Sequence, residues 1–224
     1  DILYYLPFLL NKIEVFQINK WPSFEERNHF VFVGNFFHKP NVDAVQTLKN
    51  HIWKSIRKQL PTAELHIYGA YITPQISQLH NPKEGFFIKG FAEDAEEIVK
   101  NAKIVLAPLR FGAGIKGKLT EAMLCGTPSI TSTIGAEGMY QNLPWNGFIT
   151  DDFEVFATKA VELYTNQIVW ESAQKNGIEI INAFYDKTKL EQPFMNQILE
   201  IQQDLEKHRS EHFLQSLLHY QTLQ

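Results

Sequence analysis

The chain has 224 residues, of which 44% are hydrophobic and 21% are charged, and this composition excludes collagen-like, low-complexity and disordered proteins. The formal net charge is −4, so there is no basic surplus of the kind that predicts nucleic-acid binding. The one cysteine, Cys125, cannot form an internal disulfide, which is typical of a reducing compartment, and we predict a cytoplasmic protein.

Short apolar runs alternate with helical patterns from residue 30 onwards. Runs that end at glycine, proline or polar residues predict six strands, at 30–34, 65–69, 85–90, 103–108, 129–133 and 147–150. Apolar residues three and four apart predict helices at 41–60, 74–80, after the acidic run 93–97, and at 114–124, 152–165, 167–183 and 189–221. This alternation predicts a Rossmann-like three-layer α/β/α fold with a mostly parallel sheet.

The helix predicted at 41–60 has residues at both ends that are typical of helix boundaries. Asn41 is the predicted N-cap and Pro61 is the predicted stop.

The first 29 residues fit the alternation poorly, with one possible strand at 13–18 and then a polar stretch. We interpret 1–29 as a connector from a segment upstream, and a first residue of Asp1 fits that interpretation.

The loop between the fourth strand and its helix is the strongest candidate for a ligand site. It holds three glycines and three cations, which are Gly112, Gly114, Gly117, Arg110, Lys116 and Lys118. Ligands of open parallel sheets bind at the carboxyl ends of strands. Glycines let the backbone approach a ligand, and a helix N-terminus offers free N–H donors and positive potential. We therefore predict an anion site, most simply for a phosphate group. The alternative, a tight turn with solvated lysines, is less favoured.

Three other motif matches are weaker. Residues 112–117 match the dinucleotide fingerprint, but that fingerprint belongs after the first strand of a fold and this run follows the fourth. The same loop nearly matches a P-loop, except that Leu119 stands where Ser or Thr must hold magnesium. Residues 208–212 match a zinc-protease motif, but too few residues follow to supply a third ligand, so no metal site is predicted.

The loop and its neighbours resemble the donor-site signature of retaining GT-B glycosyltransferases, of the glycosyl transferases group 1 type. The longest matching run, 110–129, reads Arg-Phe-Gly-Ala-Gly-Ile-Lys-Gly-Lys-Leu-Thr-Glu-Ala-Met-Leu-Cys-Gly-Thr-Pro-Ser. Shorter pieces agree in order and spacing, at 32–34, 39–41, 65–69, 89–91 and 134–138. The resemblance covers 30–185 and implies the nucleotide-sugar-binding domain, which is the C-terminal half of a GT-B fold.

The resemblance also implies roles for single residues. Glu121 matches the glutamate that accepts hydrogen bonds from the ribose hydroxyls of the donor, although a surface pair with Lys118 is the simpler alternative. Gly34 ends the first strand of the motif, and Gly112 and Gly114 match the loop that approaches the diphosphate and the donor sugar.

Two positions depart from the family pattern. Asn35 stands where the family usually has an arginine, and Ala113 stands in place of its first glutamate. Lys39 is then a candidate phosphate ligand, or else a solvated loop lysine. Arg110, Lys116 and Lys118 are expected to compensate from the other side of the phosphates. The missing glutamate leaves open how the hydroxyls of the donor sugar are held.

The implied activity is transfer of a sugar from a nucleotide-diphosphate sugar to an acceptor with retention, as in polysaccharide biosynthesis. The resemblance implies no cofactor and no obligatory metal, and it leaves the catalytic residue unassigned. An N-terminal Rossmann-like acceptor domain is the expected partner, and without it we expect the chain to be inactive. The alternative is a non-catalytic nucleotide- or phosphate-binding module with a degraded donor site.

Residues 186–224 are predicted to form a helical extension. The apolar side of its long helix is formed by Ile198, Ile201, Leu205, Phe213, Leu217 and Tyr220. In the family such a helix crosses onto the N-terminal domain. Without that domain the apolar side would pack on its own sheet or form a homodimer, and peripheral membrane association is the weaker alternative.

Overall fold

The computed structural model describes residues 3–203 and 205–211, and it confirms the Rossmann-like α/β fold. Six strands form one sheet in the order β3-β2-β1-β4-β5-β6, and every neighbouring pair is parallel. The strands are β1 Asn28–Val33, β2 Leu65–Tyr68, β3 Phe86–Gly90, β4 Ala102–Ala107, β5 Ser129–Thr131 and β6 Gly147–Ile149.

Helices follow most of the strands. They are α1 Val15–Ile18, α2 Lys39–Thr47, α3 Trp53–Gln59, α4 Pro74–Ser77, α5 Ala95–Asn101, α6 Gly117–Leu124, α7 Thr133–Ala136, α8 Phe153–Thr165, α9 Gln167–Ile180, α10 Lys187–Gln203 and α11 Leu205–Glu211. Two π-helical segments, Leu48–Ile52 and Ile181–Tyr185, and one 3-10 turn, Pro82–Glu84, complete the described chain.

The packing of β1 shows that helices cover both faces of the sheet. Phe30 stacks on Tyr164 of α8 at 4.7 Å between ring centroids and meets Trp53 of α3 edge-on. The next residue, Val31, packs in a separate apolar cluster with Val99 of α5 and with α6. Because successive strand residues point to opposite faces, α3 and α8 cover one face and α5 and α6 cover the other.

The described chain forms two compact units. The first is Ile13–Phe184, which contains the whole sheet. The second joins the segment before Ile13 to α10 and α11. Within the second unit, the Leu10 N–H donates to the Tyr185 carbonyl at 2.8 Å, and the Leu10 carbonyl accepts from the Lys187 N–H at 2.8 Å.

The strand predicted at 13–18 is wrong. Residues 15–18 form the short helix α1, and a capping box between Glu14 and Gln17 satisfies its first N–H groups locally. Asn41 is not an N-cap, since His38 holds that position and Asn41 lies inside α2. Pro40 fits the first helical turn and begins the helix earlier than predicted.

The remaining differences concern where elements begin and end. The helix predicted at 114–124 begins only at Gly117, because Gly114 has a φ of +73° that a helix does not allow. The strand predicted to end at residue 133 ends at Thr131, and Ser132 instead caps α7. The long helix predicted at 189–221 is α10 followed by α11, and its part at 212–221 lies outside the described residues.

Candidate functional site

The strand order fixes where a ligand can bind. Neighbouring strands β1 and β4 lead to connections on opposite sides of the sheet, because β1 is followed by β2 on one side and β4 by β5 on the other. A crevice forms at the carboxyl ends of strands at such a switch point.

A cleft of about 340 Å³ opens at this edge, and we call it the β1–α6 cleft. It is lined by Val33, Gly34, Asn35, Asn41, Gly69, Ala70, Phe91, Ala92, Ala95, Lys118 and Glu121. The loops after β1, β2 and β3 therefore meet the first turn of α6. Three of the predicted donor-site residues come together here, namely Gly34, Lys118 and Glu121.

Lys118 is the cation of the β1–α6 cleft. It is the second residue of α6, and its Nζ donates to Asn41 Oδ1 at 2.5 Å and lies 4.1 Å from the centre of the Phe32 ring. Among the described residues Lys118 forms no ion pair, and Asn41 is its one hydrogen-bond acceptor. Burial lowers the pKa of Lys118 to about 7, and Glu121 opposes that shift.

Glu121 lies one turn further along α6 and also faces the cleft. The surface pair with Lys118 is not formed, since the Lys118 ammonium bonds to Asn41 instead. Within the described chain the Glu121 carboxylate accepts no hydrogen bond. Its pKa is raised, first by burial and then by the nearby carboxylates of Glu96 and Asp94, while Lys118 lowers it. Both carboxylate oxygens are thus free for hydroxyl donors.

The glycine-rich loop lies beside the start of α2. A Cβ on Gly112 would approach Pro40 at 3.6 Å, and the φ of Gly112 is +132°, which L side chains rarely adopt. Lys116 donates from Nζ to the Gly114 carbonyl at 2.5 Å, so its ammonium folds back on its own loop. Gly112, Gly114 and Lys116 are not among the residues that line the β1–α6 cleft, and their roles toward a ligand stay predictions.

Arg110 is held by a carboxylate. Its Nε donates to Asp43 Oδ2 at 2.9 Å and its Nη2 donates to Asp43 Oδ1, and this bidentate pair raises the pKa of Arg110. Arg110 lines a second cleft of about 320 Å³ at the carboxyl ends of β4, β5 and β6, together with Ser132, Asp151 and others. The structure therefore places Arg110 on the other side of the switch point from Lys118.

Lys39, the first residue of α2, is exposed and has no ion pair with any residue of the described ranges. Asn35, at the position of the expected arginine, lines the β1–α6 cleft and carries no charge. The cationic character of this cleft therefore rests on Lys118.

Sequence reasoning missed Asn41 as a site residue. The side chain of Asn41 is 9% exposed, donates from Nδ2 to the Asn35 carbonyl at 2.8 Å and accepts from Lys118. Its place in the first turn of a helix made a cap the simpler interpretation. The signal that could have found it is Gly34, where a Cβ would lie 2.9 Å from Asn41 Cγ.

Over residues 3–203 and 205–211 no three His, Cys, Asp or Glu side chains gather in a way that could hold a metal ion. In the same ranges, no helix combines the length and the apolar character needed to cross a bilayer.

A family model described as "Glycosyl transferases group 1" matches residues 27–166, which include all of the β1–α6 cleft. The chain belongs to this family. A curated relative, the "Uncharacterized 44.6 kDa protein in cps region" of Klebsiella pneumoniae, is 25% identical over 191 residues. The alignment covers 82% of this chain and 49% of the relative, so the chain spans about half the length of the curated relative that it matches.

Solved glycosyltransferase structures share the fold. A mutant of S. aureus TarM, crystallised with fondaparinux, alpha-GlcNAc-glycerol and UDP, matches with a TM-score of 0.66 and 16% identity over 84% of this chain and 37% of TarM. The pneumococcal O-GlcNAc transferase GtfA, in complex with UDP and GlcNAc, matches with a TM-score of 0.63 and 18% identity over 89% of this chain and 39% of GtfA. This chain thus has the fold of one part of these much longer glycosyltransferases.

Proposed function

We propose that this chain is the C-terminal, nucleotide-sugar-binding domain of a retaining GT-B glycosyltransferase, and that the β1–α6 cleft binds the donor. The observation that carries the proposal is the environment of Lys118. A lysine ammonium has three donors, and this one has a single acceptor among the described residues while it faces an open cleft at a helix N-terminus. An anionic ligand would satisfy the other two.

The chemistry beside Lys118 supports a nucleotide diphosphate as the anion. An ionised carboxylate repels a bare phosphate, but the free oxygens of Glu121 can accept two hydrogen bonds from a ribose diol. In this arrangement the diphosphate binds at the start of α6 and the ribose binds one turn away. The UDP held by TarM and by GtfA supports the same ligand class here.

In the proposed reaction the bond between the sugar and the diphosphate breaks, and negative charge develops on the leaving diphosphate. Lys118 and the N–H groups at the start of α6 would stabilise that charge, and removal of one such donor from an enzyme costs about 3 kcal/mol of transition-state stabilisation. The acceptor would bind in an N-terminal domain upstream of this chain. We therefore expect the isolated chain to bind donor without transferring sugar.

A thermal-shift panel tests the proposal. The purified chain is heated with UDP-glucose, GDP-mannose, ADP-glucose or dTDP-glucose, and with free glucose and mannose as controls. We expect one of the nucleotide sugars to raise the unfolding temperature, since a ligand present at 100 times its Kd adds about 2.7 kcal/mol of stability. The proposal is wrong if none of the four shifts the transition beyond the free sugars.

A further inference from the structure

Two cations, Arg110 in the loop after β4 and Lys118 in the first turn of α6, are held by two residues of α2 that differ in charge. Asp43 binds Arg110 through two hydrogen bonds from the guanidinium. Asn41, two residues earlier, binds Lys118 through its amide oxygen. A carboxylate neutralises the cation that it holds, whereas an amide fixes the position of a cation and leaves its charge uncompensated.

The orientation of the Asn41 amide follows from its other bond. Its Nδ2 donates to the Asn35 carbonyl at 2.8 Å, so the amide oxygen must face Lys118. The side chain is almost fully buried, and the absence of a Cβ on Gly34 makes the room that it occupies. Asn41 therefore links the loop after β1 to the first turn of α6 in a single geometry.

We propose that Asn41 is a positioning residue for the donor diphosphate, holding the Lys118 ammonium in the β1–α6 cleft through a neutral acceptor that keeps its positive charge available to the ligand. This inference rests on the proposed function. It also distinguishes the two cations, because Asp43 neutralises the charge of Arg110, whereas the charge of Lys118 stays available to the donor.

The charge on Lys118 is sensitive to its surroundings. Burial lowers its pKa to about 7, so a nearby anion favours the protonated form and donor binding takes up a proton near neutral pH. The charged groups on the neighbouring elements are Lys116 and Glu121 at α6, Asp94, Glu96, Glu97 and Lys100 at α5, and Lys39 and Asp43 on α2. In wild type, affinity for a nucleotide sugar falls as pH rises through about 7, since a nucleotide sugar itself does not titrate in this range.

The test compares Asn41→Asp with Asn41→Ala by calorimetric titration between about pH 6 and pH 9, using whichever of the four nucleotide sugars binds wild type, with UDP-glucose first. Asn41→Asp puts a carboxylate beside Lys118 and raises its pKa. We expect the affinity of this variant for the nucleotide sugar at pH 6.5 to fall about tenfold, in line with the loss of a charge-assisted hydrogen bond. We also expect the pH at which affinity declines to be higher than in wild type. Asn41→Ala lowers affinity but leaves the decline near pH 7, because it adds no charge.

Asn50→Asp is the matched control, since it adds the same charge at an exposed position in the π-helical segment that continues α2. It should leave both the affinity and its pH profile as in wild type. The inference is overturned if Asn41→Asp keeps the wild-type affinity and pH profile, or if Asn50→Asp reproduces its effect. If Asn41→Asp does not fold, an unchanged affinity in Asn41→Ala overturns it.

The two proposals fail in different ways. Absence of binding by wild type to all four nucleotide sugars would reject the donor site itself and the inference with it. Binding that Lys118→Ala weakens and the Asn41 variants do not would leave the donor site standing and reject only the role of Asn41.

Discussion

Helix α6 has a cation near each end, and the two cations differ in burial and in the number of their hydrogen-bond partners. Arg27 lies at the carboxyl-terminal end and is fully buried. Its donors have four acceptors: the carbonyls of Pro22, Ala102 and Cys125 and the hydroxyl of Thr127. The C-cap of α6 is Cys125, so this positive charge lies where the helix dipole favours it.

Lys118 lies in the first turn of the same helix, where the dipole disfavours a cation. It has one acceptor among the described residues and faces an open cleft. Within the described ranges, the fold supplies four acceptors for the five N–H donors of Arg27 and one acceptor for the three donors of Lys118. A buried cation with most of its donors hydrogen-bonded stabilises the fold, whereas one with most of its donors unused beside a cleft indicates a binding site for an anion.

The largest expected effect is a loss of stability when Arg27 is replaced. Arg27→Ala leaves several buried acceptors without donors and opens a cavity beside Trp170, whose ring lies 5.1 Å from the guanidinium. We expect the free energy of unfolding to fall by about 3–5 kcal/mol. Urea denaturation measures the loss.

Arg27→Met separates the two causes, because methionine fills part of the cavity but restores no hydrogen bond. Below the unfolding transition, Arg27→Ala should bind nucleotide sugar as wild type does. A loss of stability under about 1 kcal/mol, or a loss of ligand affinity in the folded variant, would contradict the purely structural role of Arg27.

A smaller effect is expected at Glu121. Glu121→Gln keeps the shape of the side chain but weakens its hydrogen bonds from a ribose diol, so affinity for the bound ribonucleotide should fall by about 1–2 kcal/mol. Binding of inorganic pyrophosphate should stay the same or improve slightly, because it has no ribose and the substitution removes a repulsive charge. Titrations of wild type and variant with both ligands give the comparison.

Glu179→Gln, an exposed glutamate on α9, is the control and should change neither affinity. Unchanged ribonucleotide affinity with weaker pyrophosphate binding would mean that Glu121 only organises the loop.

The pattern of the sequence predicted the fold well because the central strands are largely buried on both faces and so appear as short apolar runs. All six strands predicted from residue 30 onwards are present, and their ends differ by a few residues. The errors lie where local bonds decide, as in α1, whose capping box outweighs the strand-like residues around Val15.

The site was predicted in part for a similar reason. Chain order places Gly34, Lys118 and Glu121 at strand ends and on one helix, so the sequence could indicate them. It could not show that Arg110 turns to Asp43, or that Asn41 turns into the cleft, because those contacts join segments far apart in the chain.

The central claim is that Lys118 binds the diphosphate of a nucleotide sugar, and calorimetric titration of Lys118→Ala tests it most directly. The ligands are UDP-glucose, or the nucleotide sugar that wild type prefers, and the corresponding nucleoside; Lys175→Ala, an exposed lysine on α9, is the control for net charge. We predict that Lys118→Ala lowers affinity for the nucleotide sugar by about 1.5–3 kcal/mol and leaves nucleoside affinity almost unchanged. Equal losses for both ligands, or no loss for either, would contradict the claim.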